Sequence, residues 1–143
     1  MTRRDVIVGL SSGVAVLTGA VPVWAKEKGT EKGDCFADAC RISSQCAIEC
    51  LKCFSHCAEM VTKGNSAYAE CMKACLDCSE FCKQCMTICA RNGTMKLLCC
   101  ESCAKACEMC AKACEKFPDD KVCAACAKCC VACAKCCSNC CKS

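Results

Sequence analysis

Cysteines at alternating steps of three and four residues run through four stretches of the chain, a spacing that keeps them on one face of a 3.6-residue helix. The second stretch shows it best. Cys71, Cys75, Cys78, Cys82, Cys85 and Cys89 are consecutive seam positions, while Lys73, Glu80 and Lys83 fall elsewhere. The first stretch contributes Cys46, Cys50, Cys53 and Cys57, and the third Cys100, Cys103, Cys107, Cys110 and Cys114. The fourth contributes Cys123, Cys126, Cys130, Cys133, Cys137 and Cys140. Six more, Cys35, Cys40, Cys99, Cys129, Cys136 and Cys141, lie one position off the seam and widen the thiol surface near the helix ends. An ordinary aliphatic core is excluded, because 27 of the 143 residues are Cys beside one Trp, one Tyr and four Phe.

Three short breaks separate the stretches: Lys63-Gly64-Asn65-Ser66, Arg91-Asn92-Gly93-Thr94 and Phe117-Pro118-Asp119-Asp120. Gly64 and Gly93 suit the left-handed position after a helix, Ser66 and Thr94 suit N-caps, and Pro118 stops the third helix before an acidic start. Helices are expected over residues 35–62, 66–91, 95–117 and 120–141. Short connections between them favour an all-α, antiparallel up-down-up-down four-helix bundle with a cysteine-lined core. Residues 35–44 lack the regular seam, although Phe36 and Ala39 continue its phase and suit a hydrophobic lid.

A seam with one or two cysteines needs no ligand, since free Cys behaves as a small buried hydrophobe. Twenty-one seam positions cannot be explained that way. They leave the bundle centre without the large side chains that fill ordinary interiors, and buried thiolates repel one another unless a cation sits between them. Soft thiolates select Cu(I), Zn or iron–sulfur clusters. A continuous ladder lacks the separated four-ligand clusters of structural Zn and the cluster-binding loop of an iron–sulfur protein. Residues four apart can instead aim two sulfurs at one Cu(I). The load is then on the order of ten ions without sharing and about twenty if every sulfur bridges two. A general thiol metal scavenger or detoxification protein, and a redox or structural disulfide protein, are the competing readings. The odd cysteine count and same-helix spacing disfavour the latter.

Residues 1–25 comprise a basic start at Arg3 and Arg4, an uncharged run from Val6 to Trp24, and a small-residue site ending at Ala25. This reads as a cleaved export signal of twin-arginine type, with an exported, periplasmic or extracytoplasmic location and a mature domain over 26–143. No second apolar segment of spanning length is expected, hence no stable membrane insertion after cleavage. The formal net charge is +4, but acidic residues interrupt the lysines, so nucleic acid is not an expected partner.

His56 is the only histidine and precedes Cys57, with Met60 one turn further along the seam. The pair suits an entrance for Cu(I), a neutral nitrogen and a thioether exchanging metal more readily than thiolates. It equally suits a polar boundary residue and a core plug near Tyr68 and Phe117. Met72, Met86, Met95 and Met109 fall off the principal seam. No Asp, Glu, Ser or second His joins His56 in a recognisable catalytic set, so no enzyme activity is expected.

The segments Cys46-Ala-Ile-Glu-Cys50-Leu-Lys-Cys53-Phe-Ser-His56-Cys57-Ala-Glu-Met60 and Cys110-Ala-Lys-Ala-Cys114-Glu-Lys-Phe117-Pro118, followed by Cys123-Ala-Ala-Cys126, resemble the bacterial copper storage proteins. The resemblance covers residues 40–141, and the leader resembles that of the exported branch. It implies Cu(I) held inside a four-helix bundle, homo-oligomeric assembly, supply to copper-enzyme recipients, and an entrance at His56 and Met60. This chain has more cysteines and fewer methionines around that end than the exported pattern.

Overall fold

The computed structural model describes residues 34–142. Four helices, α1 (Cys35–Thr62), α2 (Ala69–Ala90), α3 (Lys96–Cys114) and α4 (Lys121–Cys140), follow one another, with a 3-10 turn at Ser66–Tyr68 leading into α2. Each packs on its sequence neighbour and α4 closes back on α1, while the diagonal pairs barely touch. The result is the expected antiparallel bundle, a square of helices around one axis. The expected leader and cleavage site lie outside the described residues.

Local chemistry explains where the helices begin and end. Asp34 caps α1 by accepting from Phe36 N–H at 3.1 Å, and Asp120 caps α4 by accepting from Val122 and Cys123 N–H at 3.0 and 3.1 Å. The expected Ser66 and Thr94 caps do not form. α2 grows out of the 3-10 turn, and α3 starts at Met95 without a side-chain cap. Gly64 takes the left-handed conformation, φ +94°, with its N–H donating to Val61 O and Asn65 N–H donating to Met60 O. After α2 that conformation falls to Asn92, φ +52°, and not to Gly93. Gly93 matters for space, since a Cβ there would lie 2.9 Å from Ile88 Cγ2.

The interior is sulfur and alanine. Among the described residues no Leu, Ile, Val, Phe or Met is buried, and Tyr68 is the one large buried side chain. Ile48, Leu51, Leu76, Phe81, Leu97, Leu98 and Val131 are exposed instead. The first turns of α1 continue the seam through Ala39 and Ser43, both fully buried. The ends are tied by the stacked rings of Tyr68 and Phe117, 4.0 Å apart, and by Lys96 Nζ 4.2 Å over the Phe36 ring. One expectation is corrected: α4 is itself long and apolar enough to cross a membrane, because Cys and Ala supply nearly all of its inward face. In the bundle that face is covered by the other helices.

Candidate metal centre

Each helix delivers its sulfurs to the axis through the three-four spacing alone. Neighbours on one helix stand 3.9–4.0 Å apart, as in Cys46 with Cys50, Cys53 with Cys57, Cys71 with Cys75, Cys78 with Cys82 and Cys85 with Cys89. Facing helices interleave at similar range. Cys71 meets Cys114 at 3.4 Å, Cys78 meets Cys107 at 3.6 Å, Cys46 and Cys50 both meet Cys130 at 3.7 Å, and Cys89 meets Cys100 at 3.7 Å. Sulfur contacts of 4.0 Å or less run without a gap from Cys57 to Cys103, and Cys85, Cys89 and Cys100 form a separate triangle at 3.7–3.9 Å beyond it.

Within this column four-sulfur groups have all their Sγ atoms within 4.8 Å of one another, among them Cys46–Cys78–Cys82–Cys107, Cys50–Cys110–Cys126–Cys130 and Cys53–Cys71–Cys75–Cys114. Metal–thiolate bonds of about 2.3 Å put sulfurs about 3.8 Å apart around a tetrahedral ion and about 4.6 Å apart across a linear one. The observed spacing suits shared three- and four-sulfur groups as it stands, and linear pairs after a small opening. These groups are thiolate only, which favours soft ions.

The thiols resist becoming charged independently. Burial, and then the neighbouring Cys71, pushes Cys57 up to about 11. Burial and then Cys85 do the same for Cys89 and Cys99 at the opposite end. In the middle, protons are shared. Hydrogen bonds led by Cys107 hold Cys46 far below the thiol range, and those led by Cys110 hold Cys126 down, whereas Cys50 and Cys130 are pushed up by the same contacts. One sulfur of a contact keeps the proton that the other accepts. A metal ion replaces those protons and relieves the repulsion together.

Of the expected seam residues, twenty are buried and free: all four on α1, six on α2, five on α3, and Cys123, Cys126, Cys130, Cys133 and Cys137 on α4. Cys140 is the exception. The first residue of α1 and the last of α4 lie with Cα atoms 5.5 Å apart, and Cys35 and Cys140 form a disulfide. Neither contributes a free thiol here. Of the off-seam set, Cys99 is buried, Cys40, Cys129 and Cys136 are half-buried, and Cys141 is exposed. Ser43 and Ser79 are fully buried and were missed. Ser43 could have been found, since it stands three residues before Cys46 and four after Ala39 in the seam's own phase.

His56 is partly buried at the end where α1 finishes and α4 begins. Its Nε2 lies 2.6 Å from Asp120 Oδ2, which also accepts from Tyr68 OH at 3.1 Å. The sequence placed no acidic residue beside His56; the fold does, across 64 residues. Burial opposes ionisation of Asp120, but the hydrogen bonds from His56, Cys123 N–H and Tyr68 outweigh it and hold the carboxyl below its ordinary range. In the neutral imidazole, Nε2–H donates to that carboxylate and Nδ1 carries the lone pair. Met60 is half-buried one turn along α1.

A family model described as copper storage protein matches residues 30–142, and no curated protein matches the chain. Members of that family are characteristically intracellular, which overturns the exported, periplasmic or extracytoplasmic location expected from the leader. They are also non-catalytic, so the His56–Asp120 pair is not part of an enzyme site. Matched over residues 30–142 and lined with buried thiols that can ligate soft metal, the chain belongs to the copper storage proteins and stores Cu(I) on thiolates inside a four-helix bundle.

Proposed function

We propose that residues 26–143 act as one Cu(I)-binding domain whose ligands are the free seam cysteines of all four helices, with a load on the order of ten to twenty ions. The observation that carries this is the sulfur column from Cys57 to Cys103, with neighbours 3.4–4.0 Å apart and the Cys85–Cys89–Cys100 triangle beyond it. Two sulfurs per ion give the lower figure and full sharing the upper. Cys99, Cys40, Cys129 and Cys136 extend the ligand set at the flanks, and reduction of the Cys35–Cys140 bond adds two thiols. Copper enters at the His56 end, where Nδ1 of His56 and the thioether of Met60 offer exchangeable ligands ahead of Cys57, and it is later passed to copper-enzyme recipients.

Assembly into a homo-oligomer is supported by the groove between α2 and α3, where the exposed Phe81 and Met109 stand beside Asp77, Glu80 and Lys105. The test of storage is an anaerobic Cu(I) titration of fully reduced protein, with metal and free thiols counted together. Uptake of ten or more ions per chain, with thiols protected in step, is expected. Saturation at one or two ions would overturn the storage capacity, and preferential retention of Zn over Cu(I) would favour a general thiol scavenger.

A further inference from the structure

Serines and threonines inside helices commonly turn their hydroxyls back to the backbone. Three here do so: Ser79 donates to Leu76 O at 2.7 Å, Thr62 to Ala58 O at 2.8 Å and Thr87 to Lys83 O at 2.9 Å. Ser43 does not. Its Oγ, on a fully buried residue, sits 3.8 Å from Cys103 Sγ, 3.7 Å from Cys133 Sγ and 3.8 Å from Cys137 Sγ. At this level of the column α3 and α4 present thiols and α1 presents a hydroxyl. One turn nearer the start of α1 stands Ala39, so α1 supplies no seam sulfur beyond Cys46. On α2, Cys82 reaches Cys103 at 3.8 Å but is shared with the level below, where it meets Cys78 at 4.0 Å and Cys107 at 3.7 Å, and Cys85, which also interacts with Cys137, is shared with the level beyond, where it meets Cys89 at 3.9 Å and Cys100 at 3.8 Å.

A serine hydroxyl is a poor ligand for a soft ion but a good donor to a thiolate. Donation does two things of the same sign. It stabilises the metal-free thiolate, and it withdraws electron density that the thiolate would otherwise give to a bound ion. We infer that Ser43, Cys103, Cys133 and Cys137 form a low-affinity Cu(I) subsite, a three-thiolate position with a hydroxyl donor, whose ion is the first to be surrendered. The inference rests on the storage reading above and names which part of the store is labile.

The test is an equilibrium competition between fully loaded protein and a colourless Cu(I) chelator, in which the route of exit plays no part. Thiols freed at each step are identified by alkylation and peptide mass analysis. Wild-type protein is expected to lose its first ion with labelling at Cys103, Cys133 and Cys137. Ser43→Ala, which removes the donor without adding a ligand, should tighten that first step about tenfold with no change in total copper. Ser43→Cys should tighten it further and add a thiol. If the first step is unmoved in both variants, or if the first thiols freed lie at Cys57, Cys71 and Cys123, the subsite is wrong. Wild-type protein that never takes up many ions would instead defeat the storage reading, a separately visible outcome.

Discussion

Asp120 does several jobs with one carboxylate: it caps α4 through Oδ1, and through Oδ2 it holds His56 and Tyr68 at the Cys57 end of the sulfur column. Its folded pKa is depressed, so its contribution to stability is present above the ordinary carboxylate range and disappears as pH falls below it toward the folded value. Asn is as good an N-cap as Asp but carries no charge, which separates the two roles. Asp120→Ala is expected to cost about 1–2 kcal/mol of apo stability at neutral pH, through loss of the cap. Asp120→Asn should cost less and should flatten the decline of melting temperature below about pH 4. Thermal melts of the three proteins from pH 2 to 7 check both; a wild-type acid limb unchanged in the Asn variant would remove Asp120 from that role.

At the scale of the helix, α1 supplies one wall of the column, and its four seam thiols are Cys46, Cys50, Cys53 and Cys57. Replacing all four by Ala should lower copper capacity by about two ions if sulfurs pair without sharing and by about four if each bridges two. Far-UV circular dichroism should stay helical, since Ala is the better helix former. Undiminished capacity would mean that copper is held elsewhere. This wall was readable in the sequence because a 3.6-residue period converts spacing directly into a shared face, and Cys46 to Cys57 repeat that period. Ser43 follows the same phase and was obscured only by its side-chain type. The turn chemistry was less legible: Asn92 and not Gly93 adopts the left-handed conformation, the Ser66 and Thr94 caps expected for α2 and α3 do not form, and Asp34, unmarked by any seam, caps α1. Contacts made by convergence were not legible at all. Nothing local to His56 announces Asp120, and nothing local to Cys35 announces Cys140, 105 residues away.

Taken whole, the molecule inverts the usual arrangement, with aliphatic side chains outside and thiols within. Cys and Ala bury little apolar area each, so the metal-free bundle lacks the hydrophobic stabilisation of an ordinary core of this size. Its interior is tolerable only while its protons are shared. Cys57, Cys89 and Cys99 have folded pKa values raised to about 11, against an ordinary thiol value of 9.0. A raised folded pKa gives stability that is complete below the unfolded value and is lost as pH climbs through the folded one. The reduced apo bundle should therefore melt at progressively lower temperature between about pH 9 and pH 11, as the unfolded chain ionises thiols that the folded chain cannot. Loading reverses the balance, because each Cu(I) takes the place of thiol protons and binds only the ordered sulfurs. Copper-loaded protein should melt far above the apo form at neutral pH and show no decline across the same alkaline window. Proton release during titration in weak buffer measures the same exchange directly. Melting curves of apo and loaded protein that fell in parallel from pH 9 to 11 would mean that the ions sit on the outside of the bundle and leave its buried thiols protonated.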